Sequence, residues 1–131
     1  MMLRPRCKIW LESDAGEVAL SDWRVQLLEA VDQHGSLAEA ARQLAVPYKT
    51  AWYKLKDMEA TIGVALLLTS SGGKGHGGAS LTEAGQEAVR RYHAIVDGLD
   101  GEVRERFDAE FAVPLPPVLR GRRAERLAEG T

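Results

Sequence analysis

Residues 36–59 read SLAEAARQLAVPYKTAWYKLKDME and place two helical patterns almost end to end. Ser36 is suited to cap the first helix, with Glu39 at the third helical position of a capping box. The inner face of this helix comprises Leu37, Ala40, Ala41 and Leu44. Only two residues later, Pro47 suits the first position of a second helix, because an amide there has no intrahelical partner. We predict this second helix over residues 47–61. Its expected buried stripe is Ala51, Leu55, Met58 and Ile62.

So short a turn forces the two helices to cross closely, and close crossing requires small residues. Alanines occupy the expected contact positions, at Ala40, Ala41, Ala45 and Ala51. This arrangement is typical of a helix-turn-helix, whose second helix lies in the major groove of DNA with its N-terminal residues at base edges. The alternative is an ordinary α bundle. The pattern favours it less, because the polar face of the second helix carries lysines and tyrosines instead of mixed charge.

The flanking sequence completes a winged form of this motif. Residues 7–13 alternate as a short strand, and residues 21–33 have helical spacing behind a serine cap. Residues 64–69 and 79–81 are predicted to form a hairpin around the glycine-rich segment 70–78. The expected fold class is therefore mainly α with a small β-hairpin wing: a winged helix-turn-helix followed by a long C-terminal dimerisation helix.

The last helix is predicted over about residues 82–111, capped by Thr82. Its sustained apolar stripe exposes more surface than one small domain can bury, so we expect a second copy of the chain to pair with it. The predicted dimerisation residues are Ala88, Tyr92, Ile95, Leu99, Val103 and Phe107. We assign residues 1–111 to one DNA-binding domain that includes this helix, and residues 112–131 to a flexible basic tail containing prolines.

Candidate DNA contacts lie on the second helix of the motif and in the glycine-rich segment. Lysines neutralise phosphates, and hydroxyl groups near a helix N-terminus reach phosphates or base edges. The candidates on the helix are Tyr48, Lys49, Thr50, Tyr53, Lys54 and Lys56. Trp52 has two interpretations, either stacking on the DNA backbone or packing in the core or against another helix, and the pattern favours packing.

In the glycine-rich segment, glycines allow a close approach of the backbone and leave amides free for phosphate. Lys74 is the expected electrostatic anchor, with His76 as a weaker, pH-dependent one. The candidates in the wing are Ser71, Gly73, Lys74, Gly75 and His76. The alternative for this segment is a flexible linker.

The formal net charge of −2 over 131 residues is unusual for a nucleic-acid binder, which is normally basic. The charge is unevenly distributed, however. Residues 47–78 carry four lysines against two acids, whereas residues 81–111 carry eight acids against four arginines. The acidity therefore lies mostly on the predicted dimerisation helix, and the small positive excess elsewhere predicts modest non-specific affinity for DNA.

Other sequence features restrict the class of protein further. The only cysteine, Cys7, excludes an internal disulfide and a multi-cysteine zinc site. No apolar run is long enough to span a bilayer. The N-terminal stretch MMLRPRCKIWLESD turns acidic before an apolar segment develops, which predicts no signal peptide and a cytoplasmic protein.

Enzyme motifs are incomplete. Residues 73–78 read GKGHGG and match a dinucleotide-binding fingerprint, but the second strand and terminal acid of such a unit are missing. A phosphate-binding loop also fails, because Gly75 follows Lys74 where serine or threonine is required. The three histidines share no metal-ligand spacing with carboxylates, so we predict neither a metal site nor an enzyme.

Two motifs resemble a known family. AEAARQLAVPYKTAW, at residues 38–52, is similar to the winged-helix domain of LysR-type regulators. More specifically, the run YKTAW at 48–52 and the run GGKGHGGASLTEAG at 72–85 resemble the N-terminal DNA-binding domain of the ModE family of molybdate-responsive transcriptional regulators. The resemblance covers about residues 7–110. Pro47, where the family tends to have a serine or a similar cap, departs from its pattern, as does the lack of an arginine just before the wing glycines.

The resemblance implies a sequence-specific, homodimeric DNA-binding regulator, to which the long helix and the N-terminal segment contribute dimer contacts. The family's molybdate sites lie in C-terminal domains, and residues 112–131 are too few to form one. We therefore expect no cofactor and no molybdate site in this chain, with regulation by a separately encoded molybdate-binding partner as one option. The alternative function is a dimerising interaction adaptor that has lost DNA binding.

Overall fold

A computed structural model describes residues 2–70 and 77–118 of the protein. They divide into two compact units. The first unit is residues 7–98, and the described part of the second is residues 2–6 and 99–118. The elements of the first unit are β1 (Leu11–Glu12), β2 (Val18–Leu20), α1 (Asp22–His34), α2 (Leu37–Gln43), α3 (Tyr48–Ile62), β3 (Leu67–Ser70), β4 (Gly78–Leu81) and α4 (Glu83–Val96). The second unit contains α5 (Leu99–Glu110).

The core of the first unit forms where α1, α2 and α3 pack together. From α1, Leu27, Leu28 and Val31 are fully buried. Burying each such side chain contributes roughly 1.5–3 kcal/mol. Ala40, Ala41 and Ala51 are also buried, which confirms them as small residues at the helix crossing. Ala45, predicted to join them, is exposed instead, because it forms the turn between the two helices. The winged helix-turn-helix expected from the sequence is confirmed by this order of elements.

The turn between α2 and α3 is built around Ala45, whose φ is +56°. The Val46 amide donates to the Ala41 carbonyl and the Ala45 amide to the Arg42 carbonyl, both at 3.0 Å. This pair of bonds defines a Schellman turn, which ends a helix with one left-handed residue. Pro47 is the N-cap of α3 and not its first helical residue. The helix therefore begins one residue later than predicted and runs over Tyr48–Ile62.

Two details differ from the sequence-based expectations, one in the first strands and one at the end of α3. The strand predicted over 7–13 is reduced to Leu11–Glu12, and β2 pairs with it although no strand was expected there. Ile62, predicted to be buried, is 36% exposed at the end of α3. The hairpin β3–β4 is antiparallel, as predicted, with Leu67 opposite Leu81 and Ser70 opposite Gly78.

The N-terminus of α4 is attached to the first residues of the hairpin. The Thr82 hydroxyl donates to the Ala65 carbonyl at 2.7 Å and accepts from the Gly85 amide at 3.0 Å. The Thr82 amide donates to the Leu66 carbonyl at 2.9 Å. Gly85 is buried against this carbonyl, and a Cβ atom added there would overlap the Leu66 oxygen. The threonine and glycine of the LTEAG run therefore have a packing role.

The predicted long helix is interrupted at residues 97–98. Asp97 caps α4 in an extended conformation, and Gly98 has a φ of +90°. Within α4, Tyr92 is 1% exposed and its hydroxyl donates to the Ile9 carbonyl at 2.7 Å. Burial also raises the pKa of this hydroxyl. Tyr92 was predicted as a dimerisation residue; that prediction is wrong, because its side chain belongs to the core of its own chain. Ala88 likewise packs against that core.

His93 on α4 forms a bridge to α1. Its Nε2 lies 2.9 Å from Glu29 Oε1, and its Nδ1 lies 3.1 Å from Asp97 Oδ1. The hydrogen bond to Glu29 and then that to Asp97 raise the pKa of His93 above its ordinary 6.5, opposed in part by desolvation. The imidazole of His93 therefore links the C-terminal half of α4 to α1, and its protonation strengthens this link.

In the second unit, α5 is twelve residues long and none of them is buried. Leu99, Val103 and Phe107 recur every four residues and are half-buried. The rings of Phe107 and Phe111 stack with centroids 4.9 Å apart. Residues 114–118 contain neither helix nor strand. In the described ranges of both units, no helix is long and apolar enough to cross a membrane.

The contact at Gly85 gives a first prediction. Gly85→Ala should lower the free energy of unfolding by about 2 kcal/mol, because the methyl group displaces the backbone of Leu66 from α4. Gly101→Ala is the control, since nothing lies within 4 Å of a Cβ at Gly101 and alanine favours helix. Urea unfolding measures both. Equal stability of the two variants would contradict this account of Gly85.

The His93 bridge predicts a pH dependence. Because the folded-state pKa is raised, the bridge stabilises fully at pH values below 6.5, the ordinary pKa, and its contribution is lost as pH rises through the folded-state value. His93 is 42% exposed, so we expect an effect below about 1 kcal/mol. Urea unfolding at about pH 6 and about pH 8 should show a larger loss in the wild type than in His93→Gln. The same loss in both proteins would contradict the bridge.

Candidate nucleic-acid interface

One face of α3 is exposed along the length of the helix. Because Ala51, Leu55 and Met58 turn inward, the opposite side chains face solvent. Tyr48 is 54% and Tyr53 52% exposed. The predicted contact residues on this helix are placed as follows: Tyr48, Lys49, Tyr53, Lys54 and Lys56 are exposed, and Thr50 is half-buried. The helix thus brings all six together on one element.

Aromatic rings and ammonium groups alternate on this face. Lys49 Nζ lies 5.9 Å from the ring centroid of Tyr53, and Lys56 Nζ lies 5.6 Å from the ring of Trp52. The rings of Trp52 and Tyr53 meet edge to face at 5.3 Å. Such contacts orient the long lysine side chains without neutralising their charge.

Trp52 is not a core residue, which was one of the packing roles that the sequence favoured for it. It is 39% exposed and lies on the lysine-bearing face. The signal was present in the spacing, because Tyr48, Trp52 and Lys56 are four residues apart and share one side of a helix. Its size and apolar character favoured burial in a single-sequence reading, although tryptophan is rarely buried completely.

A groove of about 340 Å³ separates α3 from the hairpin. Its walls come from the N-terminal part of α2, from α3 and from both strands of the hairpin. The α3 side chains that line it are Tyr48, Trp52, Leu55, Lys56 and Glu59, and the hairpin contributes Leu67, Thr69, Ser70, Gly77, Gly78 and Ala79. The exposed aromatic face of α3 therefore continues into the wing.

The base of the wing is tied to α1. The Ala79 amide in β4 donates to the Gly35 carbonyl at 2.8 Å, directly after α1 ends. A Cβ atom added to Gly78 would lie 2.9 Å from Ser70 Oγ, so a larger residue there would require the Ser70 hydroxyl to move. The predicted wing contacts Ser71, Gly73, Lys74, Gly75 and His76 lie outside the described residues, and their assignment stays a prediction.

The lysines of α3 differ in their partners. Lys56 Nζ lies 3.3 Å from Glu59 Oε1, whereas neither Lys49 nor Lys54 has an ion-pair partner within residues 2–70 and 77–118. Lys49 and Lys54 are therefore the cations of α3 that are most available to an anionic ligand. They lie in the first half of the helix, the part that reaches base edges in helix-turn-helix complexes.

Three packed helices, a tight turn before the third and an antiparallel hairpin after it define a winged helix-turn-helix domain. Residues 24–86 match the family model described as bacterial regulatory helix-turn-helix protein, lysR family. The chain is also similar in sequence to ModE proteins, which confirms the resemblance recognised from the two motifs.

Two relatives illustrate the match. The chain is 38% identical over 85 residues to the molybdenum transport protein ModE of Azotobacter vinelandii, covering 65% of this chain and 31% of that protein. It is 35% identical over 96 residues to the DNA-binding transcriptional dual regulator ModE of Escherichia coli (strain K12), covering 73% and 36%. The chain thus spans about a third of the length of these relatives.

A solved structure supports the same fold. The CbnR_DBD–DNA complex superposes with a TM-score of 0.53 at 30% sequence identity, covering 67% of this chain and 94% of that one. That structure contains DNA, and nearly the whole of its protein chain is matched by this one.

Proposed function

We propose that this protein is a sequence-specific, DNA-binding transcriptional regulator that inserts α3 into the major groove and places the wing on the DNA backbone. The observation that carries the proposal is the exposed face of α3, where Lys49 and Lys54 alternate with Tyr48 and Tyr53. This face follows the helix-turn-helix turn directly and borders the hairpin. Two similar proteins support it: the structural neighbour was solved in complex with DNA, and the E. coli relative is a DNA-binding transcriptional dual regulator.

The dimensions of α3 suit this role. Its fifteen residues extend over about 22 Å, and a major groove about 12 Å wide accepts one helix. Lys49 and Lys54 contact phosphates at the groove edges, while Tyr48 and Thr50 lie near the N-terminus, where base edges come within reach. Trp52 adds an apolar surface next to them, suited to a thymine methyl group or a sugar.

We also propose a homodimer that presents two recognition helices to a pseudo-palindromic site. An isolated helix of twelve residues is marginal in water, and α5 buries none of its own residues within the chain. The stripe that α5 offers to the partner is Leu99, Val103 and Phe107. Ile95 on α4 is 49% exposed and is a separate candidate. Tyr92 and Ala88 pack in or against the core of the first unit and are no longer candidates.

Two modes of control are compatible with this proposal: a signal from a separately encoded partner, or constitutive regulation. The name of the Azotobacter vinelandii relative, a molybdenum transport protein, connects that relative with molybdenum. That this chain holds no molybdate site, and that a separately encoded molybdate-binding protein supplies the signal, both stay predictions. A regulator that acts constitutively and without a cofactor would bind DNA through the same exposed face of α3.

DNA binding is tested first by selecting duplexes from a random pool. The wild type should enrich one sequence with two half-sites, and the double variant Lys49→Ala, Lys54→Ala should lose most of its affinity for it. Removing two phosphate contacts should also lower the slope of log K against log salt by about 1.8. Fluorescence anisotropy over a range of salt concentrations measures both quantities.

The matched control is Lys8→Ala. Lys8 precedes Ile9, whose carbonyl contacts Tyr92 on α4, so this variant removes one lysine charge, half of that removed by the double variant, away from α3. Its affinity and salt dependence should equal those of the wild type. A wild-type protein that enriches no duplex even at low salt would reject the proposal and leave the dimerising adaptor as the function.

The dimer is tested with Val103→Glu, which places a carboxylate in the centre of the α5 stripe. Sedimentation velocity should show a dimer for the wild type and a monomer for the variant, because a charge in an apolar contact is expensive to desolvate. Ala109→Glu introduces the same group at an exposed position off the stripe and should remain dimeric. A wild-type monomer, or two variants that behave alike, would show that this stripe does not pair.

A further inference from the structure

Glu59 is the one acidic side chain of α3 that faces the groove. Its side chain is only 15% exposed, although it lies on the same helix as the open lysine face. The carboxylate has partners on two different elements. Oε2 accepts from the Leu66 amide at 2.8 Å and from the Leu67 amide at 3.4 Å, and Oε1 lies 3.3 Å from Lys56 Nζ.

The first set of bonds fixes the base of the wing. Leu66 and Leu67 are buried at the start of β3, and only a short segment separates them from the end of α3. The backbone of Glu59 acts on the same segment, since its carbonyl accepts from the Gly63 amide at 2.8 Å. Charge-assisted hydrogen bonds are roughly twice as strong as neutral ones. One side chain therefore sets the direction in which the hairpin leaves the recognition helix.

The second bond restrains Lys56. Its ammonium is held between the carboxylate and the ring of Trp52, and all three side chains line the groove. A lysine shared with a carboxylate has less charge to offer a phosphate than Lys49 or Lys54. Because counterion release by free lysines drives non-specific binding, this restraint removes one contributor to it.

We propose that Glu59 is a positioning residue that raises discrimination between specific and non-specific DNA, by orienting the wing on α3 and by withholding Lys56 from phosphates. The inference rests on the proposed DNA binding. It makes an unusual prediction, because removing the carboxylate should weaken binding to the correct sequence and strengthen binding to any other.

Glu59→Gln tests it, since glutamine keeps the size of the side chain and removes its charge. Affinity for the selected duplex should fall about tenfold, the effect of one lost well-placed contact. Affinity for a scrambled duplex of the same composition should rise, and its salt slope should steepen by up to about 0.9 as Lys56 becomes available. A purely structural role would lower both affinities together.

Glu39→Gln is the matched control. Glu39 lies on α2, 3.4 Å from Arg42, and does not line the groove, so this variant makes the same charge change away from the wing. It should leave the ratio of the two affinities at the wild-type value. Parallel changes in Glu39→Gln and Glu59→Gln would show a general effect of charge and overturn the inference.

A second measurement does not depend on the folding of Glu59→Gln. Lys56→Met should lower the non-specific salt slope less than Lys49→Met does, because the ammonium of Lys56 is already shared with Glu59. Equal effects of the two variants would overturn the inference. A wild type that binds neither duplex rejects the proposed function itself, whereas wild-type binding with equal losses on both duplexes in Glu59→Gln rejects only the role of Glu59.

Discussion

The turn that joins α2 to α3 constrains the rest of the first unit. Two backbone hydrogen bonds of 3.0 Å close it, and they require Ala45 to adopt a φ of +56°. This conformation costs a residue with a Cβ atom roughly 1–2 kcal/mol. The cost is offset because the turn brings Ala40, Ala41 and Ala51 into one buried cluster. With this crossing in place, the inner stripe of α3 is covered and its lysines and aromatic rings have to face outward.

The described part of the wing has no core of its own and is held in place by backbone contacts with the packed helices. β4 bonds to the Gly35 carbonyl at the end of α1, and the Leu66 carbonyl accepts from Thr82 while Gly85 packs against it. A two-stranded hairpin is marginal by itself in water, so these attachments hold it beside the recognition helix. The DNA-facing groove is consequently bounded by elements that are each fixed to α1, α3 or α4.

The electrostatics of the chain are local. A net charge of −2 conceals a lysine-bearing face on α3 and an acidic stretch over residues 81–111. On α3 itself the charges are not equivalent, because Lys56 is paired with Glu59 and held over Trp52. A small number of available cations suits a regulator that discriminates sequences, since most sequence-independent affinity comes from phosphate contacts.

The sequence by itself determined α1, α2, α3, the hairpin and most of the alanine crossing, because caps, turn residues and helical spacing are local properties. Only the tertiary structure decided the environment of individual side chains. Tyr92 turned inward because Ile9, distant in sequence, offers its hydroxyl a carbonyl, whereas Trp52 stayed 39% exposed on the lysine-bearing face. The spacing of apolar residues predicts neither the break at Gly98 nor the partners of Glu59. Each depends on backbone that returns from another part of the chain or on a local conformation that a repeating apolar pattern does not encode.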